Sequence, residues 1–177
     1  GSGDMLFLEN GVNLVRLHGG YISEGEIWRL ITPAFIHGDI IHLAFNMYAL
    51  YNLSEICTLL YSKVRFLTSY LFFAFAGCFG SFLWLLDGRA YSLGASGAIF
   101  GIVGMLLGHY SNASDNSVIK FILAKNSLWQ SVILMFGYGF MIPGIDNAAH
   151  IGGFIAGYLV GSLYMAKNEQ PFEVDLS

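Results

Sequence analysis

Five apolar runs, each close to the length of a membrane-spanning helix, constrain what this chain can fold into. They cover residues 40–61, 66–86, 94–110, 128–142 and 148–166. A helix needs about 20 apolar residues to cross the hydrocarbon core of a bilayer. Only 11% of the 177 residues are charged, compared with about 25% in soluble domains. The sequence therefore predicts an all-α, polytopic membrane protein built as a bundle of about five transmembrane helices.

Composition also excludes several classes of function. The formal net charge is −4, and the chain has no basic surface of the kind that nucleic-acid-binding proteins carry. Cys57 and Cys78 both fall inside predicted spans, where a lone cysteine behaves as a small apolar residue. Histidines and acidic residues do not occur at metal-ligand spacing. We therefore expect no nucleic-acid partner, no disulfide framework and no metal site.

The chain is predicted to form one membrane domain over residues 1–177, because no linker-like segment divides it. Residues 1–35 mix apolar and charged side chains and are expected to lie at the membrane interface. Residues 36–166 form the transmembrane core, and residues 167–177 form a polar tail.

The orientation of the spans is predicted from the lysines and arginines, which are more frequent in cytoplasmic loops. With the connection before residue 66 in the cytoplasm, the inner residues are Lys63, Arg65, Lys120, Lys125 and Lys167, and the outer ones are Arg16, Arg29 and Arg89. This arrangement places the N-terminal region on the non-cytoplasmic side and the C-terminus in the cytoplasm.

Four polar residues are predicted to lie at the same depth in the bilayer. The runs that begin at residues 40, 94 and 148 all cross in the same direction, so their first turns lie in the same leaflet. His42 and Asn46 belong to the first run, Ser96 to the second and His150 to the third. A serine with a histidine base is the minimum requirement for nucleophilic hydrolysis. We expect Ser96 at the floor of a recess that water can enter, because its helix is short.

Glycines explain how two of these helices could approach each other. The two strips are Gly97, Gly101, Gly104 and Gly108 in one helix, and Gly153, Gly157 and Gly161 in the other. Strips of small residues allow membrane helices to pack with their backbones in contact. Such packing would bring Ser96 and His150 within hydrogen-bonding reach. Taken alone, glycine strips are also common in membrane bundles without any catalytic role.

The order of motifs along the chain is more specific than any one of them. Trp28-Arg29 is followed by His37, by His42-x-x-x-Asn46, by Gly94-x-Ser96-Gly97 and by Ala149-His150-x-x-Gly153-x-x-x-Gly157. From about residue 26 to residue 166 this pattern resembles the rhomboid family of intramembrane serine proteases. The resemblance implies a compact helical bundle that cleaves single-span or polytopic membrane proteins in or near their transmembrane segments, within the lipid bilayer. It also implies that no metal or organic cofactor takes part.

The resemblance assigns a role to each of the motif residues. Ser96 would be the nucleophile and His150 the general base, a dyad with no third carboxylate. Phe100 would pack against the imidazole of His150. The residues implied as oxyanion donors are Asn46, His42 and the backbone N–H of Ser96, and the supporting glycines are Gly94, Gly97, Gly153 and Gly157. Asp146, the acid nearest His150 in sequence, is interpreted as a polar residue of an exposed loop.

One departure and two alternatives accompany the resemblance. Six spans are usual in the family, and the usual first span is not found before Trp28 in this sequence. The first alternative is a catalytically inactive relative that binds transmembrane segments, although such relatives usually lack the serine or the histidine. The second is a small membrane transporter, which would need polar residues through the whole depth of the bilayer. The role of His37 is left open.

Overall fold

The computed structural model describes residues 17–84, 91–113, 120 and 145–168, and these residues are largely helical. The helices are α1 (Gly19–Ser23), α2 (Ile40–Leu60), α3 (Lys63–Trp84), α4 (Ser96–Asn112) and α5 (Asn147–Asn168), with 3-10 turns at Ile27–Leu30 and Thr32–Phe35 and two short strands, β1 (Leu17–His18) and β2 (Tyr91–Ser92). The prediction of an all-α fold is confirmed for the described residues, apart from the two short strands. The predicted run at 128–142 lies outside the described residues.

The length of the helices differs from the length of the apolar runs. Among the described residues, α3 is the one helix that is both long and apolar enough to cross a membrane by length and composition. Helix α4 has 17 residues, which corresponds to about 25 Å against a hydrocarbon core of about 30 Å. The predicted number of about five spans is not established by these helices.

Polar caps set where α2 and α3 begin. The carboxylate of Asp39 accepts a hydrogen bond from the His42 N–H at 2.8 Å, so α2 begins at Ile40 as predicted. The hydroxyl of Ser62 accepts one from the Arg65 N–H at 3.3 Å. Side-chain oxygens in this position satisfy backbone N–H groups that have no partner within the helix. Helix α3 therefore begins at Lys63, three residues before the apolar run that predicted it.

Helix α4 is the central helix of the bundle. All of residues 97–108 are buried, and α4 packs most extensively against α5 and then against α3. Its largest buried side chains include Ile99, Ile102 and Met105. Helix α4 is therefore covered on all sides over residues 97–108, and its accessible residues are Ser96 at one end and residues 109–112 at the other.

The glycine strips bring α4 and α5 into backbone contact, as predicted. A Cβ atom built on Gly153, Gly157 or Gly161 would overlap the carbonyl oxygen of Gly97, Gly101 or Met105, respectively. The contact is reciprocal, since a Cβ on Gly104 or Gly108 would overlap a carbonyl oxygen of α5. Residues with higher numbers in α4 contact residues with higher numbers in α5, so the two helices are parallel. Their first turns therefore lie side by side.

The segment before α2 covers the end of the bundle where α4 begins. Strand β1 pairs with β2 in an antiparallel register, with Leu17 opposite Ser92 and His18 opposite Tyr91. The side chain of Arg29 is buried, and its Nε donates to Oε2 of Glu26 at 2.6 Å. Its guanidinium also lies 4.7 Å from the centre of the Tyr21 ring. The strand pairing joins the N-terminal segment to the residues just before Ser96, and the contacts of Arg29 hold the segment itself together.

Candidate active site

The turn before Ser96 is held by the preceding segment of the chain. The N–H of Gly94 donates to the carbonyl of Pro33 at 2.8 Å, and the N–H of Ala95 donates to Nε2 of His37 at 3.4 Å. Gly94 has φ of +111°, a conformation that glycine adopts without steric cost. A Cβ at this position would also lie 2.7 Å from Cε1 of His42. The chain therefore needs glycine at residue 94 for both its backbone angle and its surroundings.

Ser96 and His150 meet across the contact between α4 and α5. Oγ of Ser96 lies 2.8 Å from Nε2 of His150, which is an ordinary hydrogen-bond distance for these groups. The side chain of His150 is buried, whereas Ser96 is half-buried, unlike the twelve residues that follow it. The hydroxyl is thus the accessible member of the pair, and the imidazole lies behind it.

The ring of Phe100 fixes the plane of the imidazole. The Phe100 and His150 rings stack with their centres 4.2 Å apart and an angle of 16° between their planes. Phe100 lies one helical turn after Ser96, on the same face of α4, and is buried. The contact predicted between Phe100 and His150 is present, and it limits rotation of the ring away from Ser96.

His42 and Asn46 of α2 lie against the turn at Gly94. The nearest side-chain atoms to a Cβ built on Gly94 belong to these two residues. Asn46 is 7% exposed, and its Nδ2 has no hydrogen-bond partner among the described residues. Buried polar atoms are nearly always paired, and each exception calls for an explanation. The amide of Asn46 is therefore a donor without a partner, located beside the turn that carries Ser96.

The N-terminus of α4 adds further donors to the same place. The first N–H groups of a helix have no partners within it, and the aligned peptide dipoles give that end a partial positive charge. Ser96 is the first residue of α4. The helix end thus lies at Ser96, while the side chains of His42 and Asn46 lie beside Gly94, two residues earlier.

Asp146 differs from the sequence interpretation, because it is half-buried rather than exposed. Its Oδ1 accepts a hydrogen bond from the Ala149 N–H at 2.9 Å, and its carbonyl accepts from the His150 N–H at 3.2 Å. Its Oδ2 has no hydrogen-bond partner among the described residues. Asp146 therefore caps the helix that carries His150. An aspartate just before an apolar run is a helix-start signal that the sequence interpretation did not use.

His37 also has a defined place that the sequence left open. Its ring accepts from Ala95, and its centre lies 5.1 Å from that of His42 with the rings nearly perpendicular at 74°. Burial lowers the pKa of His37, and the nearby His42 lowers it further. The contact with Ala95 joins residues that are far apart in the sequence and requires the fold.

His109 lies at the other end of α4 and takes no part in this site. Its Nδ1 lies 2.6 Å from the hydroxyl oxygen of Tyr61, at the end of α2. The pair joins the two helices far from Ser96.

A serine hydroxyl hydrogen-bonded to an imidazole, with unpaired donors beside it, is the arrangement of hydrolases that form an acyl-enzyme. Here the arrangement is built from the ends of apolar helices. Comparison with known proteins assigns the chain more narrowly. The family model described as the Rhomboid domain matches residues 24–167.

Individual relatives agree with this match. Rhomboid protease GluP of Bacillus subtilis is 39% identical over 142 residues, which cover 80% of this chain and 27% of GluP. RHOMBOID-like protein 5 of Arabidopsis thaliana is 33% identical over 148 residues, 82% of this chain and 47% of that protein. The putative rhomboid protease YdcA of Bacillus subtilis is 31% identical over 154 residues, 85% of this chain and 74% of YdcA.

The chain belongs to the rhomboid family, and membership implies an integral membrane protein. The matched region spans about a quarter of the length of GluP and about half that of RHOMBOID-like protein 5.

Proposed function

We propose that this protein is an intramembrane serine endopeptidase. It hydrolyses peptide bonds in or near the transmembrane segments of other membrane proteins, with Ser96 and His150 as a catalytic dyad. The observation that carries the proposal is the 2.8 Å contact between Ser96 Oγ and His150 Nε2. Membership of the rhomboid family and the similarity to GluP, which is named a rhomboid protease, support the same activity.

The first half of the reaction forms an acyl-enzyme. Neutral His150 accepts the hydroxyl proton on Nε2 while Ser96 Oγ attacks the carbonyl carbon of the substrate peptide bond. The tetrahedral intermediate then collapses, the C–N bond breaks, and the imidazolium of His150 gives its proton to the leaving amine. The acyl group remains on Ser96 as an ester.

The second half releases the acyl group to water. His150 accepts a proton from a water molecule that attacks the ester, and the Ser96 oxygen leaves and recovers that proton. Stacking against Phe100 keeps the imidazole in one plane through both halves. Asp146 contributes by capping the first turn of α5, which holds the backbone of His150 in place.

Both halves place negative charge on the carbonyl oxygen. The proposed donors to this oxyanion are the backbone N–H of Ser96 and the side chains of Asn46 and His42. The unpaired, buried amide of Asn46 supports this role, because a donor already aimed at the site needs no reorganisation when the charge develops. The loss of one such donor typically costs about 10² to 10³ in rate.

The membrane arrangement follows the distribution of basic residues. We propose that the site opens to the non-cytoplasmic side and that the C-terminus is cytoplasmic. The substrate must present an extended segment to Ser96, because a peptide bond within an intact helix is sterically covered. Segments with small or helix-breaking residues suit this requirement.

The dyad can be tested with a serine-reactive phosphonate on the purified protein in detergent micelles. Labelling is expected at Ser96, absent in Ser96→Ala and strongly reduced in His150→Ala. Ser81→Ala and His109→Ala are matched controls, since Ser81 is a buried serine of α3 and His109 lies at the far end of α4. Labelling of His150→Ala at the wild-type rate would contradict the dyad.

The oxyanion role of Asn46 is tested with a single-span membrane substrate. Asn46→Ala is expected to lower kcat about 10² to 10³-fold with little change in KM. A rise in KM at unchanged kcat would show that Asn46 serves binding instead. A protein that binds such segments without cleaving them, as an inactive relative would, is distinguished in the same assay by substrate binding without product.

A further inference from the structure

The segment of residues 33–37 contacts the turn before Ser96 at two consecutive amides. The carbonyl of Pro33 accepts from the Gly94 N–H at 2.8 Å, and Nε2 of His37 accepts from the Ala95 N–H at 3.4 Å. The next amide along the chain is that of Ser96, the first residue of α4. The two contacts therefore orient the peptide units that lead directly to the serine N–H.

The contact with Ala95 requires one protonation state of His37. A ring nitrogen that accepts a hydrogen bond carries no proton, so the ring must be neutral with its proton on Nδ1. The ring also meets His42 edge to face, at 5.1 Å between centres. His37 thus touches both the backbone before Ser96 and one of the proposed oxyanion donors.

The surroundings of His37 favour its neutral form. It is partly buried, and both burial and the neighbouring His42 lower its pKa. Asp39 lies two residues further along the chain, where its carboxylate is bound to the N–H of His42. From α5, His150 lies within electrostatic range of His42. A positive charge on His42 or on His150 would further disfavour a proton on His37.

We propose that His37 is a positioning residue, whose neutral ring holds the turn at residues 94–96 and the ring of His42 in register, so that both face one oxyanion. The proposal rests on the proposed function. Protonation of Nε2 would oppose the Ala95 N–H with a second donor and release the turn. His37 then acts as an acid-sensitive element of the site, separate from the proton transfer at His150.

Two substitutions test separately the roles of the hydrogen-bond acceptor and of the aromatic ring of His37. His37→Gln places an amide oxygen that can accept a hydrogen bond and does not titrate, whereas His37→Phe keeps an aromatic ring without an acceptor. We expect His37→Phe to lower kcat by about 10 to 100-fold, the range typical of small misplacements in an active site. We expect His37→Gln to restore activity to within about fivefold of wild type, with KM nearly unchanged in both variants.

The pH profile supplies a readout that a purely structural role would not change. Because His37 and His150 must both be neutral, kcat/KM of the wild type should fall at low pH with a slope approaching two in a logarithmic plot. The His37→Gln variant should fall with a slope of one. Identical slopes in the two proteins, or equal activity of the Phe and Gln variants, would overturn the proposal.

A spectroscopic measurement tests His37 without any turnover. In Ser96→Ala protein labelled with ¹⁵N-histidine, the Nε2 signal of His37 should be of the unprotonated type at neutral pH and the Nδ1 signal of the protonated type. The opposite tautomer would overturn the proposal. If instead the tautomer is as expected and wild-type Ser96 is not labelled by the phosphonate, it is the proposed function that fails.

Discussion

Gly153→Ala tests whether backbone contact between α4 and α5 sets the distance between Ser96 and His150. A Cβ at residue 153 would lie 3.0 Å from the carbonyl carbon of Gly97 and would overlap its oxygen. Carbon atoms in contact prefer about 3.5 to 4.0 Å. The obstacle is backbone, which cannot rotate away as a side chain can, so the two helices must separate by roughly 1 Å at this level.

That displacement has different effects on activity and on stability. Gly153 lies one turn after His150, so a shift of roughly 1 Å would lengthen the 2.8 Å contact with Ser96 beyond hydrogen-bonding distance. We expect kcat to fall about 10²-fold. Overpacking typically costs about 1 to 3 kcal/mol, and alanine returns about 1 kcal/mol as a better helix former. The net loss in free energy of unfolding is then at most about 2 kcal/mol.

Gly161→Ala is the matched control. Its Cβ would overlap the carbonyl oxygen of Met105 and lie 2.9 Å from the backbone nitrogen of His109, so the steric conflict is similar. The position lies about 16 Å further along α5 from His150. We expect a comparable loss of thermal stability in detergent micelles but less than a tenfold loss of kcat.

Cleavage of a single-span substrate and thermal unfolding are measured for both variants in the same detergent. The explanation holds if activity falls far more in Gly153→Ala than in Gly161→Ala at similar unfolding temperatures. Equal losses of activity, or full activity in Gly153→Ala, would refute the claim that the glycine contact sets the catalytic distance.

Substitutions at three further positions test other contacts, each measured by thermal unfolding with activity in parallel. Asp146→Ala should lower the free energy of unfolding by about 1 kcal/mol through loss of the α5 cap, whereas Asp146→Asn should stay within a few tenths because asparagine caps equally well; equal losses would contradict the capping role. Gly94→Ala should cost about 1 to 3 kcal/mol and abolish cleavage by displacing His42, so an active, stable variant would exclude the proposed turn geometry. Tyr61→Phe should cost about 1 kcal/mol with kcat unchanged, because the hydroxyl meets His109 far from Ser96; a large loss of kcat would show coupling between the two ends of α4.

The parts of the fold that the sequence predicted depend on local or periodic signals. Apolar length located α2 to α5, and the glycine repeats predicted which two helices touch. A polar cap explains why α3 starts before its apolar run: Ser62 lies outside the run, and its side chain satisfies a backbone N–H of the helix. Hydrophobicity alone does not register such a signal.

The candidate site was predictable to a similar degree. The shared direction of crossing predicted that Ser96 and His150 lie close together, and the resemblance predicted the stacking of Phe100 on His150; both contacts are present. The contact between His37 and Ala95 had no such signal, since the two residues are 58 positions apart and joined through a backbone amide. The pairing of Leu17 with Ser92 was equally hidden, because strands of two residues have no periodicity to detect.

The contact of α4 and α5 through backbone atoms also bears on how such a protein can vary. When side chains set the distance between two helices, that distance changes whenever one of them is replaced. The distance between Ser96 and His150 depends instead on backbone carbonyl oxygens that face glycines. Every residue type has a backbone carbonyl, so substitutions at the residues that carry these oxygens do not remove them. Substitutions on the outward surfaces of α2, α3 and α5 can therefore accumulate without altering the distance between Ser96 and His150. The glycines where the two helices touch are the residues that cannot be replaced, because any side chain there would overlap the backbone of the facing helix.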